Sequence, residues 1–139
     1  MDSASAKAYV LTLLEYQVDL LRRRQEPWGM NRAEFLFQQV AVTVFDHPEI
    51  RGWFLGLVRD TVFGQESRAA QLLPEFILYF AHVSRWPELA AIATDIQGRP
   101  EDPWHENPAI TWSSELSLAL GDAWQDREFY SGSLVHNVA

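Results

Sequence analysis

The chain has 139 residues, no cysteine, and 19 acidic against 11 basic side chains, for a formal net charge of −8. Without cysteine there are no disulfides, no thiolate metal ligands and no cysteine nucleophile, and the surplus of negative charge disfavours binding to nucleic-acid phosphates. A hydrophobic fraction of 47% with six tryptophans is typical of a folded globular domain rather than of a disordered chain.

The spacing of apolar residues predicts an all-α fold over residues 1–139. We expect a single domain of five to seven helices, arranged as an irregular bundle or as a stack of antiparallel helix pairs. The first helix should run from Ser3 to about Gln25, because apolar side chains recur at helical spacing along it. Gln17 lies on the same stripe as these apolar side chains.

A second helix should begin near Asn31. Its side chain can cap the helix, and Glu34 follows three residues later, as in a capping box. Residues 35–45 are apolar nearly all round, so we expect this helix to be central.

A third helix should follow Asp46, which repeats the capping pattern, and should end at Gly64 in a left-handed conformation. Gly52 and Gly56 within it have two interpretations: they weaken the helix, or they allow another helix to approach closely. Residues 65–73 should form a short helix or a turn.

The densest apolar and aromatic run in the chain lies between Pro74 and Pro87. Each proline should occupy the first turn of a helix, the first ending near Ser84 and the second near Gly98. We expect the first of these to be the buried hub of the fold, with His82 either a core residue whose hydrogen bonds are satisfied or a half-exposed one. The predicted core includes Leu14, Leu36, Val40, Val44, Phe54, Phe76, Phe80 and Leu89.

The three prolines of residues 99–108 rule out a regular helix there and predict the longest loop. A last helix should then carry Trp112 and Trp124 and end near Tyr130, with at least one of the two tryptophans inside. We expect residues 131–139 to form a frayed tail.

Charge divides the chain near residue 85. Residues 1–85 carry nine Lys/Arg and ten Asp/Glu, whereas residues 86–139 carry two arginines and nine acids. Acidic surfaces steer basic partners, and tryptophans often anchor interfaces, although net charge also simply keeps a small protein in solution. We predict a partner-binding surface formed by Glu101, Asp102, Trp104, Glu106, Glu115, Asp122, Asp126 and Glu128.

Motifs for catalysis or cofactor binding are scarce. The sequence has no phosphate-binding loop, dinucleotide fingerprint or nucleophile elbow. Acid pairs four residues apart, such as Glu15 with Asp19, usually mark a solvated helix face. Asp102, His105 and Glu106 could meet a cation, but a structural loop is the simpler interpretation, so we predict no metal and no cofactor.

These observations favour a non-enzymatic protein-binding module without nucleic-acid or membrane partners. By analogy of size and charge, its sharpest form is a small acidic inhibitor or immunity-type protein that neutralises a basic toxin or nuclease. Two alternatives stay open: a small enzyme with a dispersed site near Asp102, His105 and Glu106, and an oligomeric scaffold subunit. Lacking a recognisable signal peptide or spanning segment, the chain is expected to be cytoplasmic.

Overall fold

The computed structural model describes residues 1–23, 27–64, 72–97, 112–122 and 124. These residues form helices and contain no strand, which confirms the all-α class. A one-turn 3-10 helix, Pro48–Ile50, leads into α3. The described helices are α1 (Ser3–Arg23), α2 (Pro27–Asp46), α3 (Arg51–Val62), α4 (Pro74–Ser84), α5 (Pro87–Ile96) and α6 (Trp112–Leu120). Within this part of the chain, none of the helices combines the length and apolarity needed to cross a membrane.

α1 and α2 form an antiparallel pair, with the start of α1 beside the end of α2. Asp2 caps α1, because its Oδ1 accepts the backbone N–H of Ser5 at 2.7 Å. The two ring nitrogens of His47 lie 2.8 Å from the carbonyl oxygen of Thr43 and 3.2 Å from that of Met1. His47 therefore connects the last turn of α2 to the beginning of the chain.

Gln17 is fully buried on the apolar stripe of α1, as its spacing predicts. Neither its amide oxygen nor its amide nitrogen has a hydrogen-bond partner in the structure of the described residues. A buried polar group left unsatisfied costs about 1–3 kcal/mol. The apolar packing of α1 must offset this cost.

α4 is the hub of the fold, as predicted. Seven of its eleven residues are buried, and its boundaries match the prolines that predicted them. The ring of Phe80 lies 4.7 Å from Phe54 and 5.0 Å from Trp86, while Phe76 lies 5.3 Å from Phe37. Ring contacts at these distances add to the gain from burial, so α4 connects α2, α3 and the start of α5 in one aromatic cluster.

Most of the predicted core is confirmed: Leu14, Val40, Val44, Phe54, Phe76, Phe80 and Leu89 are buried. The prediction that Leu36 belongs to the core is wrong, because its side chain is only partly buried. The neighbouring Phe37 is the buried side chain at this point of α2. α2 packs against α1, α3 and α4, in keeping with its expected central position. Phe35 is 58% exposed, so α2 keeps one face open to solvent.

Two predicted helix starts differ from the structure. α2 begins at Pro27 rather than at Asn31, because a proline at the first helical position needs no N–H partner and already has a helical φ. Asp46 is the last residue of α2 rather than a cap, and His47 precedes the next helical turn without a side-chain capping bond. The predicted end of α3 is confirmed, since Gly64 has a φ of 70°.

α6 ends earlier than predicted. Its last residue is Leu120, and the N–H of Gly121 bonds back to the carbonyl of Leu118 at 3.1 Å in a tight turn. Trp124 lies beyond the helix yet is buried, as is Trp112, so both tryptophans pack inside. The predictions for residues 65–71, the 99–108 loop and the 131–139 tail lie outside the described residues.

Two glycines on α3 face open space. A Cβ at Gly52 or Gly56 would meet no atom within 4 Å, so no other helix of the described chain approaches them closely. Of the two interpretations of these glycines, a weakened helix is the one that the geometry supports.

Gly52→Ala and Gly56→Ala should each raise the free energy of unfolding by about 0.5–1 kcal/mol, because alanine loses less backbone entropy in a helix. Gly64→Ala should lower it, because residue 64 has a left-handed backbone that alanine adopts with strain. Urea unfolding of the three variants measures both effects. A loss of stability in both α3 variants would contradict this account of the open helix face.

Candidate functional site

Two of the predicted partner-binding residues lie in the described part of the chain, namely Glu115 and Asp122. Glu115 is half-buried in the first turn of α6, where a carboxylate complements the N-terminal end of the helix dipole. Asp122 lies at the surface with its side chain 81% exposed. The others lie outside the described residues: Glu101, Asp102, Trp104, Glu106, Asp126 and Glu128. The grouping of all eight predicted partner-binding residues on one surface stays a prediction.

Between residues that the structure describes, three ion pairs cross the charge boundary near residue 85. Each joins an arginine of residues 1–85 to an acid of residues 86–139. The pairs are Arg51–Glu88 at 2.6 Å, Arg59–Asp95 at 2.9 Å and Arg85–Asp122 at 2.9 Å. Part of the acidic surplus in the second part of the chain is therefore paired with arginines that lie earlier in the sequence.

These pairs change how the sequence count of charge is interpreted. Each offsets one acid after residue 85 with one arginine before it. Glu88, Asp95 and Asp122 therefore contribute less to the negative potential of the second part of the chain than the count alone indicates.

Arg51 forms the most elaborate of the three pairs. Its Nε and Nη2 atoms donate to the two carboxylate oxygens of Glu88 at 2.9 and 2.6 Å, and its guanidinium lies 3.9 Å from the ring centroid of Trp86. The hydrogen bonds from Arg51 hold the pKa of Glu88 below its usual range. Arg59 and Asp95 make the second bridge about two turns further along both helices, so α3 and α5 run parallel.

A cluster at the end of α4 attaches the C-terminal end of α6. We call it the α4–α6 clasp, made of His82, Arg85, Ala119, Asp122 and Trp124. The Nδ1–H of His82 donates to the carbonyl of Ala119 at 2.8 Å, and the ring of Trp124 lies 4.8 Å from the His82 ring. Arg85 has a φ of 51°, a conformation otherwise seen among the described residues only at a glycine. His82 is thus a buried, hydrogen-bonded core residue, the first of the two expectations.

The shifted titratable groups have structural causes. Burial, with a smaller contribution from the Glu34 carboxylate, raises the pKa of Tyr79 well above its usual range, so the phenol stays neutral. The hydrogen bond from the Ser5 backbone lowers the pKa of Asp2, as expected for a helix cap. Neither group is set for proton transfer near neutral pH.

The two most exposed aromatic side chains of the described residues were not among the predicted site residues. Tyr16 on α1 and Phe35 on α2 are each 58% exposed. The helical wheel places Tyr16 outside the apolar stripe of α1, and this position was the available signal. No such signal was available for Phe35, because its neighbours in the sequence are also apolar. Single exposed apolar side chains are common on protein surfaces, and these two carry no site by themselves.

Within the described ranges, no group of three or more His, Asp or Glu side chains is placed to hold a metal ion. The candidate trio Asp102, His105 and Glu106 lies outside those ranges. No protein-family model matches the chain, and neither a curated protein nor a solved structure matches it. The function must therefore be argued from the chain's own residues.

The Arg51–Glu88 pair should make stability depend on pH. Because the pKa of Glu88 is lowered in the folded chain, the pair stabilises it above the ordinary glutamate pKa of 4.5 and loses this effect as pH falls through the lowered value. Both side chains are more than a third exposed, so the contribution is at most about 1 kcal/mol. At pH 7, Glu88→Gln should lower the free energy of unfolding by this amount. Urea unfolding at several pH values should show that the difference between the variant and the unchanged chain becomes smaller toward pH 3.

An Arg51→Met background is the control for this measurement. Without the guanidinium, Glu88→Gln should have little further effect on the free energy of unfolding at any pH. A Glu88→Gln loss that is the same at pH 7 and pH 3, or that persists unchanged in the Arg51→Met background, would show that the pair is not its cause.

Proposed function

We propose that the chain is a non-enzymatic protein-binding module that takes a partner with a basic surface. The observation that carries the proposal is the net charge of −8, which the three ion pairs between described residues leave unchanged because each joins one cation to one anion. Such a surplus attracts cationic proteins and repels nucleic acid.

Asp122 is the described residue best placed to meet such a partner. Its side chain is 81% exposed, and the Arg85 side chain with which it forms an ion pair is 40% exposed. Exposed pairs of this kind contribute about 0–1 kcal/mol, so a partner's cation could share or replace Arg85 at little cost. In the sequence, Asp126 and Glu128 follow closely and would extend the acidic surface.

The sharper form of the proposal is a small acidic inhibitor, of the kind that neutralises a basic toxin or nuclease. Its support is the combination of small size, absence of cysteine and net negative charge. Acidic surfaces speed association with a basic enzyme, and an inhibitor benefits directly from fast capture. The Trp104 side chain, set among acids in the sequence, is the candidate aromatic anchor of the interface.

Two other functions make different predictions. A small enzyme using Asp102, His105 and Glu106 should retain about one equivalent of metal on purification, which His105→Ala should abolish. A scaffold subunit should sediment as an oligomer at micromolar concentration. Metal analysis and analytical ultracentrifugation therefore separate both from a protein-binding module.

The charge-reversal variant Asp122→Lys with Asp126→Lys tests the proposed surface. Affinity capture from the native host should identify a basic protein, which is then purified for binding measurements. The double variant should slow its association at low salt by at least about tenfold, because reversing the charge removes electrostatic attraction. Raising the salt concentration should slow association of the unchanged chain in the same way.

Glu15→Lys with Asp19→Lys is the matched control. Like Asp122 and Asp126, these two acids are four residues apart in the sequence, so the change in charge is the same. Both Glu15 and Asp19 are exposed. The control should slow association less, and circular dichroism should show both variants folded. Equal slowing by both pairs, association that is independent of salt, or recovery of no basic protein would contradict the proposal.

A further inference from the structure

We propose that His47 is a proton-dependent latch, which holds Met1 against the last turn of α2 when its imidazole is charged and releases it when the ring is neutral. The ring contacts two parts of the chain at once. Its Nδ1 atom lies 2.8 Å from the carbonyl oxygen of Thr43, and its Nε2 atom lies 3.2 Å from the carbonyl oxygen of Met1. Both are hydrogen-bond distances, so one side chain joins the end of α2 to the start of the chain.

The chemistry of the two acceptors decides what the ring must carry. A backbone carbonyl oxygen only accepts hydrogen bonds, so each ring nitrogen needs a proton in order to bond to it. A neutral imidazole carries a proton on one nitrogen, whereas the imidazolium carries one on both. The two contacts together therefore require the charged ring, and the loss of one proton must release one carbonyl. Histidine is the side chain suited to such an exchange, because it ordinarily changes charge between about pH 5 and 8.

The contact with Thr43 is the one that the neutral ring should keep. It is the shorter of the two, and Thr43 lies only four residues before His47, in the last turn of α2. Met1 comes from a distant part of the sequence, is 69% exposed, and makes the longer contact. The proton of the neutral ring should therefore be on Nδ1, and the bond from Nε2 to Met1 should be lost.

Other charged groups lie on the segments that meet at His47, namely the first turns of α1, the last turn of α2, and the 3-10 turn with the first residue of α3. The acids are Asp2, Asp46 and Glu49, and the cations are the Met1 amine, Lys7 and Arg51. Side chains of these types ordinarily keep their charge between about pH 5 and 8, whereas an α-amino group begins to lose its proton near pH 8. The Met1 amine is therefore the one alternative source of a pH effect that an experiment must separate from His47.

Release should affect the start of the chain and leave the rest of α1 in place. Ala6 and Val10 are fully buried, so α1 stays packed whichever state the ring is in. The residues that gain freedom are Met1 and the helix cap Asp2, which are both exposed. The latch is a property of the free chain and does not depend on the proposed function.

NMR spectroscopy of the 15N-labelled chain tests the latch without any substitution. The Asp2 amide belongs to the same peptide plane as the Met1 carbonyl, so its order parameter reports whether that carbonyl is held. This value should be about 0.8 or more at pH 5 and fall below about 0.6 at pH 8, whereas the amides of Ala6 and Val10 should stay near about 0.85 at both pH values. Both ring nitrogens of His47 should carry protons at pH 5, and only Nδ1 should carry one at pH 8.

His47→Asn is the matched control. The short amide side chain offers a donor near the position of Nδ1 and none at the position of Nε2, and its charge does not change with pH. In this variant the order parameter of the Asp2 amide should be below about 0.6 at both pH values.

Four results would overturn the inference. An Asp2 amide equally ordered at pH 5 and pH 8 in the unsubstituted chain would show that nothing is released, and a neutral His47 ring protonated on Nε2 would show that the wrong contact is kept. An Asp2 amide that stays rigid in His47→Asn would show that the ring does not hold it. A pH-dependent change that persists in this variant would assign the effect to the Met1 amine. If the variant does not fold, the two measurements on the unsubstituted chain decide.

Discussion

The packing of the Phe80 ring is the contact on which the rest of the structure depends. Four other rings lie 4.7–6.0 Å from it: Phe45 of α2, Phe54 of α3, Phe76 of α4 itself, and Trp86 at the start of α5. Because these rings come from different helices, one buried side chain brings four parts of the chain together. The position of Trp86 in turn supports the Arg51 guanidinium that binds Glu88, so the aromatic cluster orients the first ion pair between α3 and α5.

The ion pairs connect the acidic second part of the chain to the first part. Acids after residue 85 neutralise arginines before it, and the three pairs tie α5 and the residues after α6 to α3 and the end of α4. All three are exposed, so they guide the arrangement of the helices more than they add to stability.

Local sequence signals predicted the fold well where a backbone constraint was involved. Pro74 and Pro87 marked the starts of α4 and α5, and Gly64 marked the end of α3. The start of α2 was predicted wrongly at Asn31, because a good capping residue can also lie inside a helix. The end of α6 was predicted too late, because Trp124 is buried although it lies beyond the helix. The ion pairs could not be predicted, since their partners are 36 or 37 residues apart and meet only through the packing of α4. Local sequence signals are equally insufficient for the predicted partner-binding surface, because that surface depends on how separate segments of the chain come together.

The unfolding free energy of Phe80→Ala, compared with that of Phe35→Ala, tests the central claim most directly. Phe80 is buried among four rings, and its loss should cost about 3–5 kcal/mol, because a cavity would remain where the helices meet. Phe35 is 58% exposed, and its loss should change stability by no more than about 0.5 kcal/mol. A cost below about 1 kcal/mol for Phe80→Ala, or similar costs for the two variants, would contradict the role assigned to α4.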